Sequence, residues 1–144
     1  MTPAEAARVI IGHFQPLAPG RRPLREALDA VLAEDVTSPI DLPPWDNSAM
    51  DGYAVRSADL EGDADLEVIE SVAAGQFPNK PVGPRQAILI FTGAPLPAGA
   101  DTVIRQADTA PSSHSRVRVP NARGARENIR RRGEDITKGS LVLQ

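Results

Sequence analysis

The sequence predicts an α+β fold in which strands dominate and a helical portion comes first. Its 144 residues include 11 Gly and 14 Pro, so turns recur too often for a bundle of long helices. The most apolar run, residues 87–91, is too short to be a helix and is rich in β-formers, which is typical of a buried strand. A capping signal near residue 2 indicates one helix at the start of the chain.

Composition places the chain among soluble globular proteins. Hydrophobic residues make up 41% and charged residues 24%, and the length suits one domain or two small ones. Cysteine is absent, which excludes disulfides and thiolate metal sites. Apolar runs stay well short of the ~18 residues that span a bilayer, so we expect a cytoplasmic protein without a membrane partner.

The helical signals lie within the first 31 residues. Thr2 and Glu5 form a capping box around Pro3, which predicts a helix from Pro3 to about Phe14. Apolar residues at helical spacing then predict a short amphipathic helix over 24–31, followed by a strand over 32–37.

The rest of the chain alternates between extended segments and turns. An acidic connection is predicted at 57–65 and a hairpin tip at 112–115, where we expect His114 to be solvated. Strands are predicted at residues 66–72, 87–91, 102–106, 116–119 and 140–143.

The stretch from Leu42 to Val55 concentrates turn chemistry and polar side chains. Pro43 and Pro44 disfavour helix, and Asp51-Gly52 is a strong two-residue hairpin signal. Asp51 could be a hairpin corner whose carboxylate satisfies backbone N–H groups, or it could face a ligand. These residues alone leave both interpretations open.

Most standard catalytic motifs are absent from the sequence. It contains no phosphate-binding loop with Gly-Lys-Ser/Thr and no hydrolase elbow, and two lone histidines without cysteine disfavour triads and zinc sites. Carboxylates, hydroxyls and an arginine remain at predicted strand ends, a set that suits hard-cation and oxyanion chemistry. Its members are Asp46, Ser48, Asp51, Thr92, Arg130, Glu134 and Asp135. Thr92-Gly93 is equally compatible with a simple turn after a buried strand.

The segment from Arg116 to Arg132 contains seven arginines and only one acidic residue, Glu127. This basic segment could form a solvated surface whose arginines pair with the chain's own acidic residues. Nucleic-acid binding is a weaker alternative because no aromatic residue is interleaved there for base stacking. We therefore expect no nucleic-acid partner.

Three motifs in order resemble one known family. Residues 42–55, 92–101 and 128–136, with Pro-Leu-Arg-Glu-Ala-Leu at 23–28, are similar to the N-terminal region of the molybdopterin molybdenumtransferases. These are bacterial molybdenum-cofactor insertases related to the E domain of gephyrin. The resemblance covers nearly the whole chain.

The resemblance implies hydrolysis of adenylylated molybdopterin with a divalent cation, Mg²⁺, and insertion of molybdate into the dithiolene. It implies catalytic roles for Asp51, Thr92 and Asp135, with Asp51 and Asp135 as metal ligands. Substrate-binding roles fall to Arg130, Ser48 and Gly93. A homodimer is implied as well. Where the family has Gln-Glu-Asp, this chain has Gln106-Ala107-Asp108, so any role of that Glu is missing.

The domain organisation expected from the resemblance is discontinuous. Residues 1–45 with 138–144 would form a mixed helix and strand domain, and 46–137 an inserted β-rich domain. A nucleotide-binding-like catalytic domain would follow residue 144, so these 144 residues alone are expected to be inactive. The alternative function is a non-catalytic dimerisation or scaffold module of the same fold.

Overall fold

The computed structural model describes residues 1–113, 115–123 and 127–144, with side chains throughout except at 121–123. It divides into two compact units, residues 1–36 with 143–144 and residues 37–142. The described residues form one α-helix, ten strands and three short 3-10 helices. The strand-dominated α+β class is therefore confirmed, with its helix at the N-terminus.

The first unit begins with α1, Pro3–Ile11, and the predicted capping box is present. The Glu5 N–H donates to Thr2 Oγ1 at 3.3 Å, and the Thr2 N–H donates to Glu5 Oε2 at 2.7 Å. The helix ends at Ile11, three residues before the expected Phe14, and none of its side chains is buried.

The predicted second helix over 24–31 is wrong. Only a 3-10 helix of three residues forms, Leu24–Glu26, and Asp29 has a left-handed φ of 63°. The apolar side chains Leu24, Leu28 and Val31 are almost fully exposed. Without burial of that stripe, propensity alone does not stabilise so short a helix.

Three sheets are formed by the ten strands. A six-stranded sheet has the order β6-β3-β5-β4-β8-β7, and the pairs β2-β9 and β1-β10 form two small sheets. In the large sheet all neighbours are antiparallel except β4 and β5, which are parallel. The strands are β1 (Val36–Thr37), β2 (Asn47–Ser48), β3 (Gly52–Val55), β4 (Glu61–Val72), β5 (Gln86–Ile90), β6 (Thr102–Arg105), β7 (Ala110–Ser113), β8 (Arg116–Arg123), β9 (Ile129–Arg130) and β10 (Leu141–Leu143).

Successive residues of the central strands contribute to two separate hydrophobic clusters. Ala54 of β3 and Ile88 of β5 belong to one cluster, whereas their neighbours Val55 and Ala87 belong to the other. Because side chains alternate between the faces of a strand, both faces of the sheet centre are covered. This double burial explains why residues 87–91 read as a continuous apolar run.

The hairpin predicted at Asp51-Gly52 does not form. β2, on one side of this dipeptide, pairs with β9, and β3, on the other side, pairs with β5 and β6. The dipeptide instead carries the chain from the small sheet into the large one. Turn propensity is local, whereas the pairing here is decided by distant strands.

The acidic connection predicted at 57–65 is also wrong in its second half. β4 begins at Glu61 and continues to Val72, so most of that segment is strand. Ala64 is buried, whereas Asp63 and Asp65 form ion pairs with Arg118 and Arg116 of β8. The alternation of apolar and polar residues in this part of β4 was not recognised in the sequence, because acidic residues occupy its outward-facing positions.

The other predicted strands are confirmed with small changes of boundary. β5 and β6 lie within one residue of expectation, and β7 and β8 form the hairpin expected around 112–115. His114 lies outside the described residues. The strand predicted at 32–37 shortens to β1, and the last strand begins one residue late, at Leu141.

The described part of the chain contains no helix long and apolar enough to cross a membrane. The two compact units are separated at 36/37 and 142/143. The proposed domains, 1–45 with 138–144, 46–137 and a catalytic domain beyond, stay a prediction.

Candidate functional site

Three segments that are distant in sequence meet at β2. On one side β2 pairs with β9, placing Asn47 opposite Arg130 and Ser48 opposite Ile129. On the other side, the N–H groups of Gly93 and Leu96 donate to the carbonyls of Ser48 and Asp46 at 2.8 and 2.9 Å. The three motifs singled out in the sequence are therefore joined by backbone hydrogen bonds.

Asp51 and Thr92 form the first pair of this site. Asp51 Oδ1 accepts hydrogen bonds from the Thr92 backbone N–H and from Thr92 Oγ1, both at 2.8 Å. These two donors, the backbone N–H first, hold the pKa of the Asp51 carboxyl below its ordinary value. Asp51 is thus an exposed, ionised carboxylate in a fixed orientation.

The backbone around this pair is tightly fixed. Gly52 permits close approach, because a Cβ there would lie 2.0 Å from the Ile104 carbonyl oxygen. The Gln106 N–H donates to the Asp51 carbonyl at 3.0 Å. On the other side, Gly93 has a left-handed φ of 84°, which turns the chain directly after Thr92.

Ser48 and Asn47 lie beneath the site and are almost fully buried. Ser48 Oγ donates to the Met50 carbonyl at 2.5 Å and accepts from the Met50 N–H at 3.3 Å. This hydroxyl therefore shapes the approach to Asp51 from within the fold. Asn47 Oδ1 is buried and has no hydrogen-bond donor among the described residues.

Arg130 and Asp135 form the second pair. The Arg130 guanidinium donates to Asp135 Oδ1, and Glu134 Oε1 lies 3.6 Å from Arg130 Nε. The neighbouring Asp135 raises the pKa of Arg130 further above its usual value. Asp135 and Glu134 also line a pocket of about 510 Å³ with Gly133, Ile136, Thr137, Ser140, Leu141 and Val142.

The predicted site residues thus fall into two groups that β2 connects. One contains Asp51 and Thr92, with Ser48 and Gly93 as backbone support, and the other contains Arg130 and Asp135. No described hydrogen bond joins Asp51 to Asp135. The described residues also contain no cluster of three or more acidic or histidine side chains placed to hold a metal ion.

Two aspartates form ion pairs with Arg131 and Arg132, the two residues that follow Arg130. Asp46 accepts from Arg131 Nη1 at 2.6 Å and from the Arg132 N–H at 2.8 Å. Asp41 accepts from Arg132 Nε at 2.6 Å and from the Lys138 N–H at 2.7 Å. Asp46 belongs to the set predicted from the sequence, whereas Asp41 and Asn47 do not. Nothing local in the sequence connects residue 41 to its partner at residue 132.

The basic field between Arg116 and Arg132 is largely neutralised by the chain's own acids. Arg123 and Arg126 lie outside the residues whose side chains are described. Each of the remaining five forms an ion pair with an acid, in the pairs Arg116–Asp65, Arg118–Asp63, Arg130–Asp135, Arg131–Asp46 and Arg132–Asp41. This arrangement favours the solvated, self-paired face.

Comparison with known proteins decides the family. The model of the MoeA N-terminal region, domains I and II, matches residues 1–144. This chain belongs to that family. The chain is 41% identical, over 89% of its length, to the molybdopterin molybdenumtransferase of Synechococcus elongatus. It is 40% identical, over 84%, to the enzyme of that name from Haemophilus influenzae.

A solved structure has the same fold. The molybdopterin biosynthesis MoeA protein of Pyrococcus horikoshii OT3 superposes with a TM-score of 0.80 at 38% identity over 85% of this chain. The chain spans only about a third of the length of these proteins: 33% of the Synechococcus relative, 30% of the Haemophilus relative and 34% of the Pyrococcus chain.

Proposed function

We propose that this chain is the N-terminal portion of an enzyme that inserts molybdate into adenylylated molybdopterin during molybdenum cofactor biosynthesis. Support comes from the names of its relatives and from one observation in particular. That observation is the ionised Asp51 carboxylate, fixed by Thr92 at the junction of three segments. A fixed anion of this kind orients a cation or a water against a phosphoryl group.

The donor set suits Mg²⁺ only as part of a larger site. Mg²⁺ is commonly held by one or two carboxylates together with substrate phosphates and waters. Asp51 fits this role because the described hydrogen bonds use only its Oδ1. Asp135 is less available, since Arg130 already engages it. When bound, the ion would neutralise phosphate charge and acidify a water.

The chain's own side chains would then have distinct tasks. Thr92 holds the Asp51 carboxylate ionised and in place, and Gly93 fixes the turn that presents it. Arg130 would bind a phosphate or carboxylate of the substrate in exchange for part of its contact with Asp135. The assembly is proposed to be a homodimer, and a cytoplasmic location stays a prediction.

The experiment joins residues 1–144 to the remaining part of the Haemophilus influenzae relative and measures molybdenum cofactor formation. We expect activity in the fusion, none in residues 1–144 alone, and a loss of at least about 100-fold in the Asp51→Ala fusion. Asp108→Ala is the matched control, because Asp108 is an exposed carboxylate paired only with Arg105 among the described residues.

The second candidate is a non-catalytic dimerisation or scaffold module of the same fold. It is favoured by the ion pairs that engage Arg130, Arg131 and Arg132, because a substrate anion would have to displace the chain's own acids from these guanidinium groups. Sedimentation of the same variants separates the two functions. Full activity in Asp51→Ala, with dimerisation unchanged, would favour the scaffold and overturn the catalytic proposal.

A further inference from the structure

Asn128 lies where the two groups of the candidate site approach each other. It directly precedes β9 and stands two residues before Arg130. Its carbonyl accepts a hydrogen bond from the N–H of Ala49 at 2.9 Å, and Ala49 stands two residues before Asp51. One backbone hydrogen bond therefore joins the segment that leads to Asp51 to the segment that leads to Arg130.

The side chain of Asn128 attaches this junction to the free edge of the large sheet. β6 is the edge strand beside β3, and its residue Val103 is fully buried. Asn128 Nδ2 donates to the Val103 carbonyl at 2.8 Å, and the Val103 N–H donates to the Glu127 carbonyl at 3.1 Å. Both backbone polar groups of Val103 are thus satisfied by two consecutive residues, one through its backbone and the other through its side chain.

The backbone of Asn128 is left-handed, with a φ of 58°. Asn adopts this region more readily than most residues that carry a side chain. The conformation lets one residue direct its carbonyl to Ala49 and its amide to Val103. Gly and Asp tolerate this backbone as well, but Gly has no side chain and an ionised Asp offers no donor. Asn128 meets both requirements.

β6 also holds the segment of Asp51. Residues 102–105 pair with β3, which begins at Gly52, directly after Asp51. The N–H of Gln106, immediately after β6, donates to the Asp51 carbonyl at 3.0 Å. One strand therefore supports the backbone of Asp51 and, through Asn128, the start of β9.

We infer that Asn128 is a positioning residue that fixes the place of Arg130 relative to Asp51. This inference rests on the proposed function, in which both of these side chains act on one substrate. In this role Asn128 touches no substrate and acts through the backbone segments that it holds together. Such a contact matters because a small misplacement of a substrate-binding group lowers the rate of a reaction strongly.

Amide hydrogen exchange of the unmodified chain and of Asn128→Gly, followed by NMR, tests the attachment to β6. The substitution keeps the left-handed backbone and removes the side-chain donor. The amides of Ala49 and Val103 should then exchange at least about fivefold faster, the equivalent of one hydrogen bond. The amide of Gly93, on the other side of β2, should be unchanged. Equal acceleration at all three amides, or none at Val103, would overturn the inference.

Cofactor formation by the fusion tests the positioning of Arg130. Asn128→Gly should lower activity at least about fivefold. Combined with Arg130→Ala, it should stay within about twofold of Arg130→Ala alone, because Asp51 keeps its contacts with Thr92 and Gln106. Losses that multiply would mean that Asn128 stabilises the fold without positioning Arg130, and the inference would then be wrong.

Two further variants separate the side-chain donor from the backbone conformation. Asn128→Asp keeps the shape and tolerates the left-handed backbone, but its carboxylate would face the Val103 carbonyl, so it should lose as much activity as Asn128→Gly. Full activity in Asn128→Asp would contradict the inference. Asp29→Gly is the matched control, since Asp29 is an exposed residue of the first unit with a left-handed φ of 63°. It should change neither exchange nor activity.

The positioning role and the proposed function fail in different ways. Full cofactor formation in the Asp51→Ala fusion overturns the proposed function, whereas an unchanged Val103 amide in Asn128→Gly overturns the positioning role alone. Asp51→Ala should leave the exchange of Val103 as it is, because the hydrogen bonds of Asn128 do not involve the Asp51 side chain.

Discussion

At the scale of single residues, the contact with Thr92 stabilises the ionised form of the Asp51 carboxyl. A carboxyl whose folded pKa lies below its unfolded value of about 3.9 stabilises the fold at neutral pH. That contribution is present above pH 4 and is lost as the pH falls through the lowered pKa. The two hydrogen bonds from Thr92 therefore favour the carboxylate over the neutral acid more strongly than solvent does in the unfolded chain.

The Asp51 pKa should respond to Thr92 in a graded way. Thr92→Val removes the hydroxyl donor but keeps the backbone N–H donor, so the pKa should rise and yet stay below the ordinary value. Thr92→Ser keeps both donors and should leave the pKa unchanged. Carbon-detected NMR titration of the Asp51 carboxyl measures it. An identical titration in Thr92→Val would show that the hydroxyl does not stabilise the charge.

The sequence singles out Asp51, Thr92, Arg130 and Asp135 as candidates by their chemistry, but it does not indicate their hydrogen-bond partners. Asp51, Thr92, Arg130 and Asp135 were expected to act on a shared ligand, yet in the structure each also pairs with another of the four. Residue type at a strand end predicts reactive chemistry. Asp51 and its partner Thr92 are 41 residues apart in the chain. Their contact depends on how the strands pair, which local spacing does not encode.

At the scale of elements, the junction of β2 and β3 depends on Gly52. Asp51-Gly52 looked like a hairpin because this dipeptide favours tight turns. Its glycine is needed for a different reason: β6 passes so close that Ile104 leaves no room for a Cβ. Strands were predicted correctly where both faces are buried, as in β5. The prediction failed where acidic side chains point outward, as in the first half of β4.

Gly52→Ala should be strongly destabilising. The new Cβ would meet the Ile104 carbonyl oxygen at 2.0 Å and its carbon at 2.8 Å, both backbone atoms that cannot rotate away. We expect a loss of about 3 kcal/mol in the free energy of unfolding, at the upper end of overpacking effects. Urea denaturation followed by circular dichroism measures it.

Gly20→Ala is the matched control for this substitution. A Cβ at Gly20 would meet nothing within 4 Å, and its φ is not left-handed. Its unfolding free energy should therefore stay within about 0.5 kcal/mol of the wild type. Equal stability of the Gly52 and Gly20 variants would mean that β3 and β6 separate easily, contrary to the close packing described.

At the scale of the whole molecule, the two units differ in how much apolar surface they bury. All residues of both hydrophobic clusters belong to the second unit. In the first unit, Leu17, Leu24 and Val31 are more than 90% exposed, and α1 buries no side chain. The spacing of apolar residues correctly predicted an apolar face on α1. It could not reveal whether another part of residues 1–144 packs against that face.

The difference predicts unequal protection from amide hydrogen exchange in residues 1–144. A nine-residue helix without buried side chains is marginal in water, because isolated helices below about 12 residues rarely form. The amides of α1 should therefore exchange almost as fast as an unfolded peptide, whereas those of β5 should exchange only on global unfolding. Exchange measured by mass spectrometry on peptides covering 3–11 and 86–90 compares them directly.

The same measurement on the fusion to the Haemophilus influenzae relative tests what covers the apolar face. If the added part of that relative packs there, protection of α1 should rise by at least tenfold while that of β5 is unchanged, since β5 is already buried. Slow exchange of α1 in residues 1–144 alone would instead mean that this unit is stabilised without any further domain. In that case the stability of this unit does not depend on covering its exposed leucines and valines.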